Sequence, residues 1–187
     1  MTIDEAEVPK RGAARPRKRN RDTEQINGLV ATVLKSAGGL MRFKKVVPLL
    51  LRQSIDEVID APRTNRSALG ETKVNERIYL GTKVKVRLRG FLKLPKGRTL
   101  DLSANGIEVG IQSTIRQNWC IPRVVNGHPC VLIRFDVNRS ICSIGAIMVR
   151  GKILSASRKP SGRRMISCSG SAGIRWILKD EPLPELS

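Results

Sequence analysis

Between residues 81 and 149 apolar and polar side chains repeatedly alternate with a period of two, and that period points to β-sheet. In GTKVKVRLRG (81–90) Val84, Val86 and Leu88 alternate with Lys83, Lys85, Arg87 and Arg89. The pattern predicts a strand with one apolar face and a ladder of cations on the other. Like charges on one strand face repel, so the ladder requires counter-charges, either neighbouring carboxylates or phosphates. In GIEVGIQ (106–112) Ile107, Val109 and Ile111 alternate with Glu108, Gly110 and Gln112, which predicts a second strand over 106–113. Further strands are predicted at 130–136 and 142–149.

Helical periodicity frames this sheet. Ile26, Leu29, Val30, Val33 and Leu34 predict a helix that Thr23 caps and Ala37-Gly38-Gly39 ends. A second helix is expected to start near Pro48 and to carry Leu50, Leu51, Ile55, Val58 and Ile59. Its Asp56, Glu57 and Asp60 would repel phosphates, so both helices read as scaffold and not as a helix-turn-helix reader. Residues 61–75 are expected to form a loop, and a short helix is expected around Ala172–Leu178 with Trp176 in it. Helices, a mainly antiparallel or mixed sheet, and a last helix predict an α+β or α/β domain.

The charge balance selects the class of partner. With 35 Lys+Arg against 16 Asp+Glu the net charge is +19, a field that attracts a polyanion. Residues 1–22 concentrate Lys10, Arg11, Arg15, Arg17, Lys18, Arg19 and Arg21 and are expected to be a disordered basic arm ahead of one domain at 23–187. No apolar run approaches the roughly 18–20 residues of a membrane span, and no signal peptide is apparent. A cytoplasmic, nucleoid-associated protein is expected. Cys120, Cys130, Cys142 and Cys168 form no CxxC pair and read as buried or half-buried free thiols. His128, the only histidine, lies two residues before Cys130, a weak hint of metal.

Hydrolysis of a phosphodiester at neutral pH generally uses Mg²⁺ held by two or more carboxylates, often with a lysine beside the attacking water. Asp101, before the 106–113 strand, has the position of a metal-binding acid. VIDAPRTNR (58–66), GTKVKVRLRG (81–90), GRTLDL (97–102), GIEVGIQ (106–112), NWCIP (118–122) and RKPSGRRMISCSGSAGIRWI (158–177) together resemble the endonuclease domain of the NaeI-type restriction enzymes. The resemblance covers roughly residues 45–185. It implies a PD-(D/E)XK nuclease core, a homodimer, double-stranded DNA as substrate and Mg²⁺ as cofactor. Relatives carry a second, C-terminal DNA-binding domain, which is expected to be absent here.

Residue by residue, the resemblance places the family's first metal-binding acid at Asp101. Its second acid falls on Gly110, its lysine on Gln112, and a glutamate of the preceding strand on Lys85. Glu108 remains on the same strand face. Lys85 and Asp101 sum to zero charge, and Glu108 brings the total to −1, few donors for Mg²⁺. Lys85 either stands in for the metal by pairing with Asp101 or Glu108, or joins the basic ladder on phosphate.

The leading expectation is a duplex-DNA-binding protein whose cutting centre is lost, with no cofactor. The alternative is an active Mg²⁺-dependent endonuclease in which Gln112 serves as it stands and Asp101 and Glu108 bind the metal. Glu108 would then have to reach across about 6–7 Å along the strand. A third reading is a sequence-indifferent basic protein. Expected DNA contacts are Arg63, Arg66, Lys83, Arg87, Arg89, Arg116, Asn118, Arg158, Lys159, Arg163 and Arg164.

Overall fold

The computed structural model describes residues 18–65, 69–158 and 160–185. Helices α1 (Lys18–Ala37) and α2 (Leu40–Ile59) come first, joined through Gly38 and Gly39. Both glycines hold left-handed φ, 82° and 103°, which other residues resist. The first helix begins at Lys18 and not at a Thr23 cap, so residues 18–22 of the expected arm belong to the fold. Residues 1–17 lie outside the described residues.

The second helix also starts earlier than expected, and Pro48 lies in its interior. An interior proline forfeits a hydrogen bond and costs about 3 kcal/mol or more. Phe43, Val47, Leu51 and Ile55 stand four residues apart and are each at most 2% exposed. Burying each contributes about 1.5–3 kcal/mol, which outweighs the proline's penalty and carries the helix through. Where a loop was expected over 61–75, one-turn helices form at α3 (Ala61–Thr64) and at Leu69–Glu71.

The largest correction concerns 81–90. This stretch lies within a helix, α4 (Val74–Leu92). Val84 and Leu88 belong equally to a period-two series and to the helical series Leu80, Val84, Leu88, Leu92. The helical series wins because all four leucine and valine side chains are buried against α2 and the sheet. Only Val86 separates the two periods, and it is left 53% exposed. Upstream, the Glu76 carboxylate accepts the Lys73 backbone N–H and fixes the helix start.

The main sheet has five strands in the order β1 (Leu102–Ala104), β2 (Ile107–Thr114), β4 (Pro129–Asp136), β5 (Ile141–Met148) and β8 (Arg175–Pro182). β2 and β4 are parallel, and the other pairs are antiparallel. Asn105 and Gly106, with φ 51° and 75°, close the β1–β2 hairpin by a two-residue turn whose twist matches the strands. A smaller sheet orders β3 (Cys120–Ile121), β7 (Arg164–Ile166) and β6 (Leu154–Arg158). The mixed sheet with its helices is an α+β arrangement of the restriction-endonuclease-like type.

Each face of the main sheet has its own core. Val131, Ile133 and Phe135 of β4 pack with Val109, Ile111 and the helices. Cys130 and Leu132 point the other way, to Trp119, Ile121, Val125 and Ile166. The expected helix at 172–178 is a correction too: a one-turn helix α5 (Cys168–Ser171) precedes the edge strand β8. The strand forms because β5 offers Gly145, where a Cβ would come within 3.0 Å of Trp176 and 2.5 Å of Ile174. Trp176 packs on Trp119, ring centroids 6.3 Å apart.

Candidate functional site

The site lies where α4, the segment before β1 and the second face of β2 meet. Asp101 is held from two sides. Its Oδ2 accepts the backbone N–H of Ile111 at 2.7 Å, and its Oδ1 lies 3.1 Å from Lys85 Nζ. Both partners of the ion pair are about a quarter exposed. The Asp101 carbonyl accepts from Arg89 Nη1 at 3.5 Å. Because 81–90 is helical, Lys85 and Arg89 fall one turn apart and both meet Asp101. Lys83 and Arg87, also one turn apart, both bind the Glu57 carboxylate of α2. Of the four cations expected as one ladder, three are thus split between two carboxylates, while Arg89 meets the Asp101 carbonyl. Glu57, read from sequence only as a residue that repels phosphate, is one of their counter-charges.

Glu108 is engaged by backbone. Its carboxylate accepts three successive backbone N–H groups, those of Arg98 (2.7 Å), Thr99 (3.1 Å) and Leu100 (2.8 Å). These bonds, the Leu100 one first, hold its pKa below the usual glutamate value. Glu108 therefore anchors the loop ahead of β1. That loop presents Lys93, Lys96 and Arg98, all exposed, and sequence reading passed over them.

Gly110 faces the second core. A Cβ there would stand 3.0 and 3.3 Å from the two methyls of Val125 and 3.5 Å from Cys130 Sγ. Val125 and Cys130 are both buried, and burial, followed by the Asp101 charge, pushes the Cys130 thiol up. The room an acidic side chain would need at 110 is filled by hydrocarbon. Val125 carries no sequence signal for this role; it becomes visible only when the one-turn helix Arg123–Val125 packs on β2. Gln112 lies half-buried two residues further on, paired in register with Leu132. Among the described residues, no group of three or more His, Cys, Asp or Glu side chains is placed to hold a metal ion. All four cysteines are free, and Cys168 is exposed where a half-buried thiol was expected.

The expected DNA contacts divide. Arg63, Arg116 and Arg163 are exposed, Arg63 at 4.0 Å from Asp60. Arg164 is committed to the carbonyls of Gly151, Leu154 and Ser155, and Asn118 bridges Trp119 N–H and the Ile166 carbonyl. These two residues tie the small sheet together. Arg158 lies in β6, in register with Arg164. Arg66 and Lys159 lie outside the described residues. No described helix is long and apolar enough to cross a membrane.

Comparison with known proteins follows the same residues. Type II restriction enzyme NaeI of Lentzea aerocolonigenes is 24% identical over 117 residues, a match that covers 62% of this chain and 37% of that enzyme. The family described as restriction endonuclease NaeI matches residues 44–186, well over half of the chain and all of the segment from the first turns of α2 through β8. On that match, the chain belongs to the NaeI restriction endonuclease family.

Proposed function

We propose that this protein binds double-stranded DNA without cutting it, and that the Lys85–Asp101 ion pair occupies the role a divalent metal has in a working nuclease centre. The observation that carries this reading is the 3.1 Å contact between Lys85 Nζ and Asp101 Oδ1. With Ile111 N–H on its other oxygen, Asp101 has both oxygens engaged. Glu108 is saturated by three amides, and Gly110 offers no donor. Mg²⁺ requires several free oxygens in near-octahedral order, and this set does not supply them. Without the metal there is neither an activated water nor a clamp for the developing charge.

Binding is a different matter. An ammonium in place of a carboxylate lowers the repulsion that phosphates would meet at this site. The exposed cations of the 93–98 loop, with Arg116 beside β2, supply an electropositive rim. Family membership supports duplex DNA as the polyanion in question. Selection from a random duplex pool, followed by anisotropy titrations at several salt concentrations, measures affinity and specificity together. An enriched sequence with a steep salt slope is the expected result; equal affinity for all duplexes would favour a sequence-indifferent basic protein. Discrete fragments from plasmid DNA with Mg²⁺ or Mn²⁺, lost in the Asp101→Ala variant, would overturn the non-cutting reading.

A further inference from the structure

Helix α1 lies outside the segment that matches the family, yet it closes one side of a cavity of about 370 Å³. The end of β5, the 150–153 turn and the α5–β8 corner form the rest. The floor is hydrocarbon: Ile26 of α1, Ile147 and Met148 of β5, and Ile174, all buried. Gly170 seats α5 against Ile153, since a Cβ there would stand 2.4 Å from the Ile153 carbonyl oxygen. Gly173 keeps the wall open, with only the Gly170 carbonyl oxygen near its Cβ position, at 3.4 Å.

The rim is built of donors. Arg150 grips Asp22 of α1 at two points, Nε to Oδ2 at 3.2 Å and Nη2 to Oδ1 at 2.6 Å. Asp22, the one acid that lines the cavity, thus has both oxygens engaged, while Arg150 spends there two of its five N–H donors. Arg175 Nη1 donates to Asn27 Oδ1 at 2.6 Å, a neutral partner that leaves the guanidinium charge uncompensated. Lys152 is exposed, and among the described residues no salt bridge joins Lys152 or Arg175 to an acid. Because an arginine only donates, its bond to Oδ1 also fixes the Asn27 amide and leaves the Nδ2 donors for another partner.

We propose that this cavity binds a free nucleotide, with the base on the apolar floor and the phosphate on Lys152 and Arg150. Three cations against one occupied carboxylate call for an anion, and phosphate oxygens accept from Arg and Lys alike. The floor calls for an apolar body as well, which inorganic phosphate lacks. A volume of about 370 Å³ lies at the low end of the roughly 300–1,000 Å³ of small-molecule sites, room for one nucleotide and not for a run of strand.

Donors also meet the base edge. Guanine offers O6 and N7, two acceptors side by side. Adenine's amino group instead needs an acceptor, and Asn27 Oδ1 is already held by Arg175. A guanine nucleotide is therefore preferred over an adenine one. This inference does not depend on what the Asp101 site binds.

Isothermal titration of the full chain with GMP, AMP, guanosine and inorganic phosphate tests it. GMP is expected to bind at a single site with a Kd on the order of 10–100 µM. AMP, guanosine and phosphate are each expected to bind on the order of 10-fold more weakly, or worse. K152E changes an exposed side chain; it is expected to keep the circular dichroism of the folded chain and to weaken GMP binding on the order of 10-fold or more. G173W, also at an exposed position, fills the cavity and is expected to abolish binding. A short DNA duplex separates the two sources of a nucleotide: it is expected to leave bound GMP in place, and a duplex that displaces GMP assigns the cavity to DNA and overturns the proposal. No saturable binding of GMP, phosphate or AMP that binds as tightly as GMP, or an affinity that both variants leave intact overturns it equally.

Discussion

The Gly110→Ala substitution is expected to destabilise the chain, against the usual trend for a strand interior. Replacing glycine by alanine in a strand ordinarily gains about 0.5–1 kcal/mol, because glycine loses more backbone freedom on folding. Here the new methyl would stand 3.0 and 3.3 Å from the Val125 methyls, whereas carbon atoms rest about 3.5–4.0 Å apart. Val125 is 1% exposed and Cys130 is fully buried, so neither can swing into solvent. Overpacking of this kind costs about 1–3 kcal/mol, which leaves a net loss of about 1 kcal/mol, or a fall in Tm of about 2–4 °C. Val125→Ala alone opens a cavity and costs about 2 kcal/mol.

On that background the sign reverses: Gly110→Ala fills the space and recovers about 0.5–1 kcal/mol. Urea unfolding of the four members of this cycle gives the coupling, expected at about 1.5–2 kcal/mol. Changes that add to within about 0.5 kcal/mol would refute the claim that Val125 fills the room an acid needs. The same argument holds for Gly110→Asp, which adds a charge among these buried neighbours; an acid returned to 110 requires a smaller residue at 125.

Glu57→Gln removes the counter-charge of Lys83 and Arg87; it is expected to strengthen duplex binding and steepen its salt slope by about 1 for each cation that reaches a phosphate, read by anisotropy. Glu108 has a lowered folded pKa, so its contribution to stability is full above the unfolded value of 4.5 and is lost as pH falls through the folded one. Glu108→Gln is expected to flatten the fall in Tm below about pH 4.5 and to speed hydrogen exchange at Arg98–Leu100. Lys85→Met breaks a partly exposed ion pair, so the stability change is expected to stay under about 1 kcal/mol in thermal unfolding, while duplex affinity falls slightly.

Where sequence and structure part, the reason is specific. β2, β4 and β5 lie within a residue or two of their expected bounds because their side chains alternate, or stay apolar, over seven or eight residues. The 81–90 stretch misled because Val84 and Leu88 fit both periods, and the burial of Leu80 and Leu92 that decides between them lies outside the alternating run. β8 was mistaken for a helix because its strand character comes from a partner: Gly145 of β5 makes space for Trp176, and nothing local announces that. At the site, a Lys85–Asp101 pair was one of the readings that charge and family pattern left open, beside a pair with Glu108 and a contact with phosphate. Val125 and Glu57 were not readable, since their roles depend on packing between segments 15 and about 30 residues apart in sequence.

Asp101 and Glu108 share a property that Gly110 and Gln112 lack. Asp101 holds the Ile111 N–H across the start of the hairpin, and Glu108 holds three N–H groups of the preceding loop. Removing either carboxylate leaves backbone donors without their protein partner. Gly110 and Gln112 show no side-chain bond of this kind among the described residues, so the fold tolerates non-ionic residues there. Asp101 needs a positive neighbour, and Lys85 reaches it from α4 because that segment is helical. A strand at 81–90 would have set Lys83, Lys85, Arg87 and Arg89 on one face; the helix divides them between Glu57 and Asp101 and frees its third face of charge. The arrangement that pairs Asp101 with a cation is thus the same one that leaves no charged residue at the exposed positions of α4.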